Sequence, residues 1–308
     1  MLYSFKPSPS KPSMNSCQLL YVWLMLPLGL VSAGRGTFTR NSDDEFQLLI
    51  AGGIIPDNSK YTRSIVSIRT LKYIQYYGDN HFCTGVIISS RAILTAAHCV
   101  TDRHKAIMNP HGILVVFGTL NRLDAYDDDY KRHVDRVELH PKYRRYINYD
   151  VAILYLKERM PENIRYAKPI AKRRRLRIVE GMSCITMGWG QVYPHGPYAN
   201  QLMYLDVTVR NHGFCKDMEN FEAEGNICVE PFAEGQICAG DMGSPILCQG
   251  YLAGIAGGAQ KCEGVKSIKF VNYTHVEKWI DKTLRALSGS SNCILSPILY
   301  ALYIMIVA

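Results

Sequence analysis

Cys238, Ala239, Gly240, Asp241, Met242, Gly243, Ser244, Pro245, Ile246, Leu247 and Cys248 make up the stretch around which the rest of the chain is organised. Two shorter runs precede it. Leu94, Thr95, Ala96, Ala97, His98 and Cys99 come first, with Cys83, Thr84 and Gly85 upstream of them. Asn148, Tyr149, Asp150, Val151, Ala152, Ile153 and Leu154 come second, followed by Cys184 and by Gly188, Trp189 and Gly190. A lone histidine is more often a satisfied surface or core residue than a reacting group. Agreement of order, spacing and cysteine placement over three runs is far more specific.

These runs resemble the histidine, aspartate and nucleophile motifs of the chymotrypsin- and trypsin-like serine proteases, over about residues 50 to 287. The resemblance implies an all-β fold of two antiparallel β-barrels, at about 50–166 and 167–272, closed by a C-terminal α-helix. It also implies roles. His98 takes the general-base position, and Asp150 is the buried carboxylate that orients it through the other ring nitrogen. Gly240, Asp241 and Met242 belong to the loop whose backbone N–H groups hold the oxyanion. Four disulfides are implied as well: Cys83 with Cys99, Cys184 with Cys248, Cys215 with Cys228, and Cys238 with Cys262. Spacing alone leaves many other pairings open.

The chain departs from the family at the cleft. Where the family carries its nucleophilic serine, this sequence has Met242, and a thioether has no proton to give and forms no acyl-enzyme by this route. His98 and Asp150 are then a vestigial pair. Ser244 is the alternative nucleophile, but two residues of backbone separate it from the oxyanion donors, and the chemistry tolerates errors of only about an ångström. Counting back from Met242 puts Gln236 at the base of the specificity pocket. Counting on from Cys262 puts Ile268 on a wall where glycine is usual, with a side chain expected to project into the pocket and fill it. Such a plug bars a large substrate side chain, because packed interiors yield to extra methylenes only at a cost. Gly257, Gly258 and Ala259 replace the serine, tryptophan and glycine of the strand that pairs with substrate backbone.

Ile50, Ala51, Gly52 and Gly53 resemble the mature N-terminus of the family, whose freed amino group folds onto the aspartate before the nucleophile. Here Leu49 precedes it and the nearest upstream arginine is Arg40, so trypsin-like activation at the usual bond is not expected. Asp241 stays available as that partner, or as a brace for its own loop. Residues 34–49 read as a short propeptide-like lead. Before them, Lys6 and Lys11 precede an uncharged run from Leu19 to Val31, and Val31, Ser32 and Ala33 followed by Gly34 complete the pattern of a secretory signal peptide cleaved after Ala33. An uncleaved anchor is the alternative. Secretion puts the cysteines in an oxidising compartment. Of the ten, Cys17 lies in the signal and Cys293 is left over from the four pairs.

From Tyr61 onward short apolar runs at strand spacing alternate with turn residues. Ser64–Arg69, Phe82–Ser89, Ile113–Phe117, Val137–Leu139 and Val151–Leu156 form one set. Ser183–Met187, Tyr204–Val209, Pro245–Leu247, Leu252–Ala256 and Ile268–Val271 form the other. Val276, Trp279, Ile280, Thr283, Leu284 and Leu287 recur three and four apart, which predicts one amphipathic helix over Thr274–Leu287.

The chain carries 35 Lys and Arg against 27 Asp and Glu, a net charge of +8. Lys172, Arg173, Arg174, Arg175 and Arg177 cluster in the connector between the two strand sets, and Lys142, Arg144 and Arg145 form a smaller group. The connector is either a solvated linker, a patch for an anionic polysaccharide or phospholipid, or a site for a basic-specific processing protease. Asn272, Tyr273 and Thr274 form a glycosylation sequon. Asp124, Asp127, Asp128 and Asp129 lie near where some family members bind calcium, but the first ligand position falls on Thr119; a solvated acidic loop is expected, with no metal and no other cofactor. The last fifteen residues, Ile294 to Ala308, carry no charge and are short for a spanning helix of about 20. With Ser288, Gly289, Ser290 and Ser291 before them they resemble a lipid-anchor attachment signal, whose removal would also discard Cys293. A short insertion anchor and a soluble apolar extension are the alternatives.

Two functions follow. The first is a non-catalytic serine protease homologue, secreted or tethered at the outer cell surface, that binds extracellular proteins, proteases or their substrates among them, as cofactor, decoy or adaptor and has no nucleic-acid partner. The second is a serine-type endopeptidase of odd specificity that uses Ser244 or a water held by His98 and Asp150.

Overall fold

The computed structural model describes residues 61–125, 128–161, 167–232, 235–258, 262 and 266–289. The signal segment, the lead with Ile50, Cys293 and the apolar tail from residue 290 lie outside them. Six strands, β1 (Ile65–Thr70), β2 (His81–Ser89), β3 (Ala92–Thr95), β4 (Ile113–Phe117), β5 (Lys131–Leu139) and β6 (Ala152–Leu156), close into an antiparallel barrel in the order β1-β2-β3-β6-β5-β4. Six more, β7 (Ser183–Gly188), β8 (Met203–Val209), β9 (Asn226–Pro231), β10 (Pro245–Cys248), β11 (Tyr251–Ala256) and β12 (Ile268–Asn272), close a second barrel in the order β10-β11-β12-β9-β8-β7. One helix, α1 (Tyr273–Gly289), follows directly.

The strands that face both a barrel interior and the other barrel read as unbroken apolar runs. β6 shows why. Ala152, Leu154 and Leu156 point into the first barrel's core, while Ile153 and Tyr155 turn to a second cluster shared with Trp189, Leu252, Ile255 and the α1 residues Val276, Ile280 and Leu287. Period-two alternation is present, but both faces are dry. Each fully buried aliphatic side chain of that seam contributes about 1.5–3 kcal/mol by leaving water. Trp189 is completely buried there and donates its indole N–H to the Leu120 carbonyl at 3.0 Å. Asn272 Oδ1 accepts from the Thr274 N–H at 3.0 Å and from its hydroxyl at 2.8 Å, capping α1.

Two strands were not expected. β3 is only four residues long and runs straight into the histidine motif, and β9 ends in Glu230 and Pro231, so neither offers a long apolar run. β5 begins six residues before Val137, because its first half carries Lys131, Arg132, His133 and Asp135 on a largely solvent-facing barrel wall. A bulge between Val134 and Arg136 breaks the alternation there. All four disulfides join the cysteines that the family resemblance paired. Cys83–Cys99 lies within the first barrel and the other three within the second, so among the described residues the barrels are joined by packing, by hydrogen bonds across their seam and by the connector, and not by a disulfide.

Candidate functional site

His98 sits in the short turn Ala97–Val100 after β3, and the disulfide from Cys99 ties that turn to β2. Its N–H donates to Asp150 Oδ1 at 2.8 Å, and its Nδ1 lies 2.6 Å from Asp150 Oδ2. The Gly258 N–H, from the second barrel, donates to the same Oδ2 at 2.6 Å. Burial pushes the Asp150 carboxyl upward, but the hydrogen bond and charge of His98 and the N–H groups of Gly258 and His98 outweigh it and hold the carboxyl below its usual range. An ionised Asp150 fixes Nδ1 of His98 as the donor and leaves Nε2 as the basic nitrogen. Tyr146 caps the imidazole at 5.3 Å between rings, with Arg145 held over the tyrosine at 4.6 Å.

The loop Gly240–Ser244 is braced from below. Asp241 is completely buried; its Oδ1 accepts from the Gly190 N–H at 2.7 Å and its Oδ2 from the Cys238 N–H at 3.1 Å. The carboxylate fits because positions 188 and 190 are glycine: a Cβ at either would collide with its oxygens. Above the loop, the Gly240 carbonyl accepts from Thr84 Oγ1 at 2.8 Å and faces His81 Nε2 at 3.2 Å. With Nε2 the donor, His81 Nδ1 accepts from the Ser67 hydroxyl at 2.9 Å, and that oxygen accepts from Arg69 Nε at 2.9 Å. Burial, with the neighbouring charges of Arg69 and Arg122, pushes His81 down to about 3, so the ring is neutral. This relay from Arg69 to the loop was not read from the sequence. Its one local signal was a histidine two places before Cys83 on a strand buried on both faces.

Met242 is half-buried, its side chain packing against the cores of both barrels, and its carbonyl accepts from the Thr84 N–H at 2.9 Å. The N–H groups of Gly240 and Met242 carry no hydrogen bond among the described residues. Ser244 is fully buried, with its N–H on the Asp241 carbonyl at 2.9 Å and its carbonyl accepting from Ala256 at 2.8 Å. Its hydroxyl has no partner among the described residues and lies against Gly188 of β7, 2.7 Å from where a Cβ there would stand. Gln236 is buried and its Oε1 likewise lacks a partner among the described residues. Ile268 is 1 % exposed and belongs with Ile237, Ile246 and Phe270 to the second barrel's apolar core, against which Met242 also packs.

Lys269 was also not singled out by the sequence. It is 1 % exposed, and its ammonium donates to the carbonyls of Glu219 at 2.6 Å and Asn220 at 3.3 Å. Its stem passes Gly258 so closely that a Cβ at 258 would stand 2.8 Å from Lys269 Cε, and the φ of +78° there already favours glycine. Asn148, beside the aspartate, donates to Glu222 Oε1 at 2.9 Å. The 219–222 segment is thus fastened to both barrels. Asn272 caps α1, and the connector residues Arg173, Arg174, Arg175 and Arg177 are exposed on the surface; neither belongs to this constellation.

Two outcomes test these contacts. Gly258→Ala is expected to destabilise the protein less in a Lys269→Ala background than alone, with a coupling of about 1 kcal/mol in urea melts. The pH dependence of stability should single out Asp241, whose carboxyl burial raises from 3.8 to about 7. Between those values the folded chain holds a proton that the unfolded chain has lost, so this contribution is present in acid and lost as the pH rises towards 7. His81, pushed down to about 3, acts in the opposite sense below 6.5. Asp241→Asn is therefore expected to gain on the parent protein by up to roughly 4 kcal/mol from pH 4 to 7, on top of a constant offset for the lost carboxylate bonds. A flat difference between the two would show a cation paired with Asp241.

Comparison with known proteins matches the geometry. A family model described as Trypsin matches residues 59–280. Serine protease SP24D of Anopheles gambiae is 29 % identical over 77 % of this chain and 81 % of its own length. Granzyme M of Rattus norvegicus is 28 % identical over 76 % and 84 %, and cationic trypsin-3 of the same species 30 % identical over 67 % and 81 %. Among solved structures, human heparin binding protein superposes with a TM-score of 0.61 at 22 % identity, covering 76 % of this chain and 96 % of that one, a likeness of fold.

Proposed function

The chain belongs to the trypsin family, and on that premise we propose that it is a non-cutting member which binds extracellular proteins as a cofactor, decoy or adaptor. One observation carries the reading: Met242 stands where the family's serine would attack, beside a His98–Asp150 pair that is otherwise in place. Without a hydroxyl there is no proton for His98 to accept and no oxygen to acylate. Ser244 does not replace it, since its hydroxyl is buried against Gly188. Lys269 and the fastened 219–222 segment close in on the side where substrate backbone would pair. Four disulfides fit an oxidising, extracellular setting, and we assign Asn272 as a glycan acceptor there.

The second reading, a residual endopeptidase, draws on the intact dyad and on the unbonded N–H groups of Gly240 and Met242. Purified mature protein incubated with a fluorophosphonate probe and a mixed peptide library separates the two. No labelling and no cleavage are expected of the parent chain. Met242→Ser is expected to gain labelling, because base, orienting carboxylate and oxyanion donors remain, while peptide turnover stays at least about 1,000-fold below typical enzymes because the cleft is filled. Labelling of the parent chain that disappears in Ser244→Ala, or peptide turnover that survives removal of contaminants, would sink the non-cutting reading. Robust peptidase activity in Met242→Ser would show instead that the cleft is open.

A further inference from the structure

We propose that the connector Lys172–Arg177 and the adjoining tip of the β2–β3 hairpin form a docking strip for a sulfated polysaccharide. The connector is a fixed ridge. On one side the Ile170 N–H donates to the Ile87 carbonyl at 2.8 Å and Lys172 Nζ to the Ile88 carbonyl at 3.2 Å; on the other, the Leu252 N–H donates to the Ala171 carbonyl at 3.0 Å. Ile170 and Leu176, each 5 % exposed, peg it into the core. Between the pegs the chain turns at Arg174 and Arg175, the latter at a φ of +50°, and Arg173, Arg174, Arg175 and Arg177 all stand exposed. Among the described residues none of these four makes an ion pair.

The positive surface does not stop at the connector. Ser90, at the hairpin tip beyond Ile88, accepts from Arg159 Nη1 at 3.3 Å, and Arg91 donates to the carbonyls of Leu156 and Lys157 at 2.7 and 2.6 Å. Three segments distant in sequence therefore bring cations to one place, and the strip spans the junction between the barrels. Unpaired like charges held this close repel one another, and a solvated linker gains nothing from being pegged at both ends. A linear polyanion relieves the repulsion, and the planar forks of arginine match sulfate oxygens two at a time. Because the backbone is already ordered, binding incurs little further ordering cost. A lipid surface fits less well: membrane adsorption couples cations to inserted apolar side chains, whereas Ile170 and Leu176 point inward.

The experiment uses the full secreted chain, with heparin as the sulfated probe, chemically desulfated heparin as its control, and vesicles containing phosphatidylserine. Heparin binding by the parent chain at about 0.15 M salt is expected, with no binding to the desulfated form and weaker binding to vesicles. The triple variant Arg173→Ser, Arg174→Ser, Arg175→Ser should lose about tenfold or more in heparin affinity at an unchanged melting temperature. A charge-matched triple, Lys142→Ser, Arg144→Ser, Lys216→Ser, should lose less than about threefold. Equal losses in the two triples, retained affinity in the connector triple, or tighter binding to vesicles than to heparin would each overturn the proposal. None of these results depends on whether the cleft cuts peptides.

Discussion

A carboxylate with 1 % exposure cannot stay ionised unless donors surround it, and Asp150 finds them in both barrels. His98 supplies two from the first, one from its backbone and one from its ring, and Gly258 supplies the third from the second. Removing any of the three leaves a buried charge short of a partner. This one group therefore sets the angle of the imidazole and helps fix the seam between the barrels, and the half-barrel contacts of Trp189 and α1 close around the same seam.

That double role gives the histidine and aspartate a reason to hold this geometry that is independent of any attack on a substrate. Their hydrogen bonds have a structural use that does not pass through Met242. The same holds for the loop beneath. Asp241 in its glycine cradle and His81 on the Gly240 carbonyl hold the loop in shape from opposite sides, and neither contact involves the side chain at 242. Geometry of this kind is evidence of fold and ancestry; the reacting atom decides the chemistry.

Much of this was legible in the sequence where a position has one physical reason to be what it is. The runs with two buried faces were legible from their apolar continuity, whereas the roles of His98 and Asp150 and the pairing of the four cystines came through the family resemblance, since spacing alone leaves many pairings open. β3 and β9 were not legible, being short and absorbed into motif or turn, and half of β5 was hidden by charges on an exposed wall. His81, Arg69 and Lys269 were illegible for another reason. A polar residue inside a strand reads as solvent-facing, and only tertiary packing reveals that Arg69 and Lys269 are 1 % exposed, with Arg69 donating to the Arg122 carbonyl and the Ser67 hydroxyl and Lys269 to the carbonyls of Glu219 and Asn220.

The departures at the cleft are consistent with one another. Where the family carries tryptophan, Gly258 leaves room, and the four-carbon stem of Lys269 lies against it while its ammonium reaches carbonyls beyond. Met242 follows the same logic. A serine there would expose a small polar group over two apolar clusters, whereas an unbranched thioether bends to fill the gap between them and buries methylenes worth about 0.8 kcal/mol each. A catalytic centre holds polar groups open to substrate at some cost in stability. Residues that fill the space gain packing instead, and this chain carries such residues at 242 and 269, with Ile268 beneath them in the core.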